Sequence, residues 1–278
     1  MLAQVLLLAA LVFVGLRARS LWHGSHIELA SVDWLALAGA LLFGAAGTAA
    51  GAVIWLSILR GLGVRTQRHW AALFFQAQLG KYIPGSVWQY AGRAAVAKSH
   101  GLPVRPVALS LPIEFVAAAI AGGATGAFLL GWWGAAVVAA ALVVLLVLER
   151  PARVRALAMP TTIRATFLCV PMWLLLGASF WLCARGLVAV PVHDLAFYTG
   201  AFAIAWLVGL LAVYAPGGLG VREAVLVALL RSRIGAADAL VVAAASRLIL
   251  ILVDLALAGI ATAALRRARP RLDVADPA

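Results

Sequence analysis

Three charged residues of this chain lie inside long apolar stretches, where a charge needs a partner or a water-filled cavity. They are Glu114, Arg247 and Asp254, and we expect all three to face the interior of the protein as an intramembrane charge network. Arg247 and Asp254 lie two helical turns apart and share one helix face. Glu114 is a candidate partner for Arg247, and two roles stay open for it: a structural ion pair or a proton-coupling carboxylate.

Proline and glycine interrupt two further apolar segments, at about 70–97 and 195–233. The breaks read Tyr82-Ile83-Pro84-Gly85 and Tyr214-Ala215-Pro216-Gly217-Gly218. The Tyr, Pro and Gly of the first break recur 132 residues later, and an arginine follows each break, Arg93 and Arg222. We interpret the two breaks as parts of an internal repeat.

A helix that restarts after Pro-Gly presents unpaired N–H groups and the positive end of its dipole, which suits an anion. Basic side chains near both breaks add full charge, and the planar fork of arginine donates to phosphate through two hydrogen bonds. The candidate substrate-binding residues are Lys81, Tyr82, Pro84, Gly85, Ser86, Arg93, Tyr214, Pro216, Gly217, Gly218, Gly220, Arg222 and Glu223.

A simpler interpretation is that proline and glycine only kink two ordinary spans, as happens in many membrane helices. Arg93 would then extend to the cytoplasmic surface, because it lies close to Lys98. This explanation fits Arg222 less well, because Arg222 lies deep behind the second break.

The elements that must position these residues follow from composition. Of the 278 residues, 65% are hydrophobic and only 12% are charged, which is far too apolar for an ordinary soluble domain. We therefore predict one transmembrane domain over 1–278, with no fused soluble enzyme and a first helix that is retained rather than cleaved. Continuous apolar runs predict six spans near 2–16, 35–59, 107–125, 127–148, 164–184 and 237–265.

The predicted fold is an all-α polytopic membrane protein with about six transmembrane helices and two re-entrant helical hairpins. Each half, about 1–125 and 127–265, then holds three spans and one hairpin, and the second half starts from the opposite face. This inverted 3+3 repeat is a recurring plan of secondary transporters. Most Lys and Arg residues outside the spans then lie on the cytoplasmic side, which predicts a multi-pass protein of the cell membrane with both termini, including the tail 266–278, in the cytoplasm.

Several other classes of function are excluded by the residues. The net charge of +12 reflects loop arginines and lysines, so no nucleic acid partner is predicted. Cys169 and Cys183 lie too far apart on one predicted helix for a disulfide, and the histidines show no metal-binding spacing. Phosphate-loop, serine-nucleophile and dinucleotide motifs are absent, so we predict no catalysis, no cofactor and no metal.

Four segments carry a family resemblance: GKYIPGSVWQYAGRAAVAKSHGL (80–102), the helix with Glu114, APGGLGVREAVLVALL (215–230) and the helix with Ser246-Arg247-Leu248. Together they resemble the lysylphosphatidylglycerol synthase transmembrane region family, over most of the chain. The resemblance implies a bundle with two re-entrant hairpins that moves anionic or modified lipids across the membrane. The chain departs from the family at Ser86-Val87-Trp88-Gln89 and at Phe115, and the aminoacyl-transferring domain of the bifunctional members is missing, so no synthase activity is implied.

The residues and the resemblance favour a lipid flippase of the cytoplasmic membrane. The expected substrate is an anionic lipid that bears phosphate: polyprenyl phosphate, its sugar conjugate or a phospholipid. One alternative is a non-catalytic membrane partner of a glycosyltransferase or a lipid-modifying enzyme. Another is an exporter of a small soluble anion, which the same helix ends would bind.

Overall fold

The computed structural model of the chain describes residues 27, 29–67, 69–82, 92–93, 101, 103–130, 152–211 and 220–268. Within these ranges the protein is helical and forms no strand. The α-helices are α1 (Trp34–Gly61), α2 (Trp70–Gln78), α3 (Val104–Leu130), α4 (Ala152–Leu187), α5 (Leu195–Leu211), α6 (Val221–Ile234) and α7 (Ala236–Ala268). Five segments are long and apolar enough to cross a membrane: Trp34–Gly61, Val104–Ala127, Met159–Leu187, Val192–Leu210 and Ala236–Leu265. This is the architecture of an all-α, multi-pass membrane protein.

Four of the six predicted spans coincide with these helices: 35–59 with α1, 107–125 with α3, 164–184 with α4 and 237–265 with α7. The span 2–16, most of the span 127–148 and the tail from 269 onwards lie outside the described residues. The predicted boundary between 125 and 127 is wrong, because α3 continues through Gly126 to Leu130. Glycine is tolerated inside membrane helices and does not end this one.

Each Pro-Gly segment contains a regular helix that lies before the break. α2 passes into a 3-10 turn, Leu79–Tyr82, and residues 83–91 after it lie outside the described part of the chain. In the second segment α5 and α6 pack against each other, and residues 212–219 between them lie outside the described part. α5 is itself part of a segment long enough to cross the membrane, Val192–Leu210.

The central helix pair, α1 and α4, is antiparallel. The side chain of Asp33 caps the first turn of α1, and the backbone N–H of Asp33 donates to the carbonyl of Gly186 near the end of α4 at 2.9 Å. Further along, the Ser179 hydroxyl donates to the carbonyl of Ala40 at 2.7 Å. These contacts fix the register of the two helices around which the others pack.

The helices of the two halves pack against each other in a reciprocal way. α3 of the first half packs against α4 and α5, and α7 of the second half packs against α1 and α2. The helices in these contacts hold matching places along the chain. α1 and α4 precede the broken segments, and α3 and α7 follow them. The broken segment of each half therefore lies beside the last described helix of the other half.

A close approach between α3 and α4 leads to a stability prediction. A Cβ atom at Gly122 would lie 2.8 Å from the indole ring of Trp173, which is buried and donates a hydrogen bond to the carbonyl of Ala118 at 3.0 Å. We expect Gly122→Val to destabilise the protein by about 1–3 kcal/mol, because the indole cannot move aside freely. Thermal unfolding in detergent measures the effect. Gly259→Ala is the matched control: its Cβ meets no atom within 4 Å, so stability should hold or rise, and equal losses in both variants would contradict the account.

Candidate functional site

A cavity of about 180 Å³ lies at the centre of the bundle. Each α-helix of the described residues contributes to its wall. Six of the predicted site and charge-network residues line it: Lys81, Tyr82, Glu114, Arg222, Arg247 and Asp254. The structure therefore brings residues from both halves of the chain to one place.

Asp254 of α7 binds two residues of the first broken segment. Lys81 Nζ lies 2.6 Å from Asp254 Oδ2, and the Tyr82 hydroxyl donates to the same oxygen at 2.5 Å. Asp254 is only 2% exposed, so a cation and a hydrogen bond compensate the burial of its charge. This contact joins the first half of the chain to α7.

Arg93 forms a two-pronged ion pair with Glu114 of α3. Its Nη1 donates to Glu114 Oε2, and its Nη2 donates to Oε1 at 3.2 Å, which is the bidentate geometry that arginine forms with carboxylates. The predicted pair between Glu114 and Arg247 is therefore wrong. The alternative that Arg93 extends to the membrane surface is also wrong, because the residue is 3% exposed and its guanidinium points into the protein towards Glu114.

Glu223 holds the start of α6 to α7. Its Oε1 lies 2.7 Å from Arg247 Nη1, and its Oε2 accepts the backbone N–H of Gly220 at 2.7 Å. Gly220 has a φ of +82°, a conformation that favours glycine. The sequence assigns this helix start to an anionic substrate, but in the structure the carboxylate of Glu223 already binds the N–H group of Gly220.

Arg222 is a basic side chain of the cavity that belongs to none of these three ion pairs. Glu114, Glu223 and Asp254 each neutralise a different basic side chain, and no carboxylate in the described ranges pairs with Arg222. Its guanidinium lines the cavity, and its buried Nη2 donates no hydrogen bond to any described residue. A half-buried cation with a buried donor that lacks an acceptor is unfavourable unless a ligand supplies one.

Arg93 and Arg222 have matching surroundings in the two halves. The guanidinium carbon of each lies 4.4 Å from the centre of a phenylalanine ring, Phe74 of α2 for Arg93 and Phe202 of α5 for Arg222. Both contacts are cation–π interactions. Neither phenylalanine was predicted from the sequence, although each precedes its arginine by about 20 residues.

Each phenylalanine also contacts an aromatic residue of the central helix pair. The ring of Phe74 lies 6.1 Å from Trp55 of α1, and the ring of Phe202 lies 5.5 Å from Phe180 of α4, with interplanar angles of 38° and 39°. The same aromatic-arginine arrangement thus occurs twice, once around Arg93 and once around Arg222. They differ in charge, because among the described residues the first half provides a carboxylate, Glu114, for its arginine and the second half provides none for Arg222.

The break residues themselves lie outside the described part of the chain: Pro84, Gly85, Ser86, Tyr214, Pro216, Gly217 and Gly218. The ranges that the structure describes hold no group of three or more side chains suited to a metal ion. Cys169 and Cys183 are buried and free.

Comparisons with protein-family models and with curated proteins give no match to this chain. The resemblance to the lysylphosphatidylglycerol synthase transmembrane region family rests on the four sequence segments and stays a prediction.

Proposed function

We propose that the protein is a flippase of the cytoplasmic membrane that moves an anionic, phosphate-bearing lipid and catalyses no reaction. Arg222 is the observation that carries this proposal. It lies in a central cavity, it is the basic side chain there that no described carboxylate neutralises, and its buried Nη2 has no acceptor among the described residues. The headgroup phosphate would supply that acceptor.

Phosphate suits this position better than a carboxylate or a neutral group. Arginine donates two parallel hydrogen bonds to phosphate, and the low dielectric of the bundle interior strengthens them. Lys81 lines the same cavity and, although it is paired with Asp254, its side chain stays 28% exposed, so it is the second candidate contact for the phosphate. Arg247 and Arg93 contribute less, because Glu223 and Glu114 neutralise them.

The size of the cavity favours a headgroup whose hydrocarbon tails stay outside. A volume of about 180 Å³ is below the roughly 300–1,000 Å³ of pockets that enclose a drug-sized ligand. A whole lipid does not fit, whereas a phosphate headgroup does. Polyprenyl phosphate, its sugar conjugate and a phospholipid all satisfy this condition.

An inverted repeat would supply the transport mechanism. The reciprocal packing of α3 with α5 and of α7 with α2, and the matching arginine-phenylalanine pairs at 4.4 Å, support a repeat of two halves. Two re-entrant hairpins, with both termini in the cytoplasm, would then make the halves equivalent but opposite in orientation. Rocking of one half against the other would open the cavity to each leaflet in turn.

A translocation assay with the purified protein in liposomes tests this function. We expect a fluorescent phosphatidylglycerol or a polyprenyl phosphate to cross between leaflets faster than in protein-free liposomes, and a zwitterionic phosphatidylcholine to cross no faster. Inorganic phosphate loaded inside the liposomes is the second probe. Release of that phosphate without lipid movement would replace the flippase with an exporter of soluble anions, and movement of neither would contradict transport altogether.

A further inference from the structure

A groove of about 580 Å³ lies along one side of α7, away from the central cavity. Its wall includes Leu79 of the 3-10 turn and Leu255, Ala258 and Ala263 of α7, and Arg267 lies at its far end. The groove is therefore mainly apolar and carries one cation where α7 approaches its C-terminus.

The groove and the cavity share the seam between the 3-10 turn and α7. Leu79 and Leu255 line the groove, whereas Lys81 and Asp254, from the same two elements, line the cavity. The 2.6 Å ion pair between Lys81 and Asp254 therefore lies between the two spaces. The ammonium group of Lys81 attracts a phosphate headgroup, and the carboxylate of Asp254 repels it.

A second polar contact joins α2 to the same side of α7. The Gln76 side-chain amide donates to the Thr262 hydroxyl at 3.1 Å, and Thr262 is also part of the groove wall. Hydrogen bonds and ion pairs can exchange partners with a polar ligand, whereas interlocked apolar side chains must separate without compensation. The seam is thus suited to open for a charged headgroup.

The dimensions of the groove match one leaflet of a bilayer. Asp254 and Arg267 are 13 residues apart, which is about 20 Å along an α-helix, and half of the hydrocarbon core is about 15 Å. On the same helix Leu252 and Ile260 are 53% and 66% exposed, as expected for side chains that contact lipid. A hydrocarbon chain that starts at Arg267 and spans one leaflet would therefore end within about one helical turn of Asp254.

We propose that the groove binds one hydrocarbon chain of an anionic lipid, with its phosphate beside Arg267, and that the headgroup then passes through the Lys81–Asp254 seam to Arg222. The phosphate complements the charge of Arg267, and the apolar wall complements the chain. This proposal rests on the proposed function, since it names the route by which the substrate reaches the central site.

Filling the groove at Gly259 tests the proposal. Gly259 lines the groove and a Cβ atom there meets no atom within 4 Å, so we expect the indole of Gly259→Trp to fill the groove. Ile260→Trp is the matched control, on the exposed face of the same helix. The probe is phosphatidylglycerol with a photoactivatable acyl chain in phosphatidylcholine liposomes. We expect labelling of residues 255–263 and lipid translocation to fall several-fold in Gly259→Trp and to hold in Ile260→Trp, and Arg267→Gln to lower labelling by phosphatidylglycerol more than by the matching phosphatidylcholine probe.

The two proposals fail in different ways. If labelling and translocation in Gly259→Trp matched the wild type, the groove proposal would be wrong. The flippase proposal would stand if Arg222→Ala still lowered translocation at limiting lipid. Loss of labelling in Gly259→Trp without any lipid transport by the wild type would support the groove and contradict the flippase. If Gly259→Trp instead separated a dimer, as measured by native mass spectrometry, the groove would hold a second copy of the chain and the proposal would be wrong.

Discussion

Replacing Arg222 by alanine is expected to lower the affinity for anionic lipid by roughly 10- to 100-fold, because hydrogen bonds to a charged group contribute about 1.5–3 kcal/mol. Translocation should fall with affinity at limiting lipid. Overall stability should hold or rise, because the variant removes a half-buried cation that has no described carboxylate partner. The initial rate of translocation in liposomes, as a function of lipid fraction, measures the effect.

Two further variants separate charge from geometry. Arg222→Lys keeps the charge but loses the bidentate fork, so it should bind more weakly than the wild type and better than alanine. Arg233→Ala is the matched control: Arg233 also lies on α6 and over an aromatic ring, 3.9 Å from the centre of Phe197, but it pairs with Asp194 at 2.7 Å. Equal losses in Arg222→Ala and Arg233→Ala would show that the helix, and not the free cation, matters.

The second large effect concerns the buried ion pair between Arg93 and Glu114. Glu114→Leu leaves a guanidinium that is 3% exposed without its carboxylate, so we expect a loss of about 3–5 kcal/mol in the free energy of unfolding. Arg93→Met should be similarly destabilising. The double variant should recover most of this loss, because it removes both charges together. Unfolding in mixed micelles gives the full double-mutant cycle.

The same pair distinguishes the two roles of Glu114. If its role is structural, Glu114→Gln should lower stability while the pH dependence of translocation, measured on the protein that remains folded, stays that of the wild type. A pH profile that flattens in Glu114→Gln would identify proton coupling. A double variant as unstable as the sum of the single variants would contradict the buried pair itself.

The long spans were predictable because their signal is local. α1, α3, α4 and α7 are continuous apolar runs of more than 18 residues, and a membrane needs about 20. The boundary near Gly126 was not predictable, because the tolerance of a helix for glycine depends on its neighbours. The first Pro-Gly break indicates where α2 ends, but the course of the chain through either break depends on packing between distant elements.

Six residues that line the cavity could be singled out from the sequence, but their ion-pair partners could not. Glu114, Arg247 and Asp254 stand out because charges inside apolar runs need partners. The repeat alone suggests Glu114 with Arg247, yet each binds within its own half, since pairing depends on which helix faces fold together. The carboxylate of Glu223, three residues after Gly220, does have a local signal, because this spacing is that of a capping box.

The most direct measurement of the central claim is native mass spectrometry of the purified protein in mild detergent. The wild type and Arg233→Ala should retain a lipid with a phosphate headgroup, and Arg222→Ala should lose it. The mass of that lipid would identify the substrate class. The same lipid retained by all three proteins would contradict a binding site at Arg222.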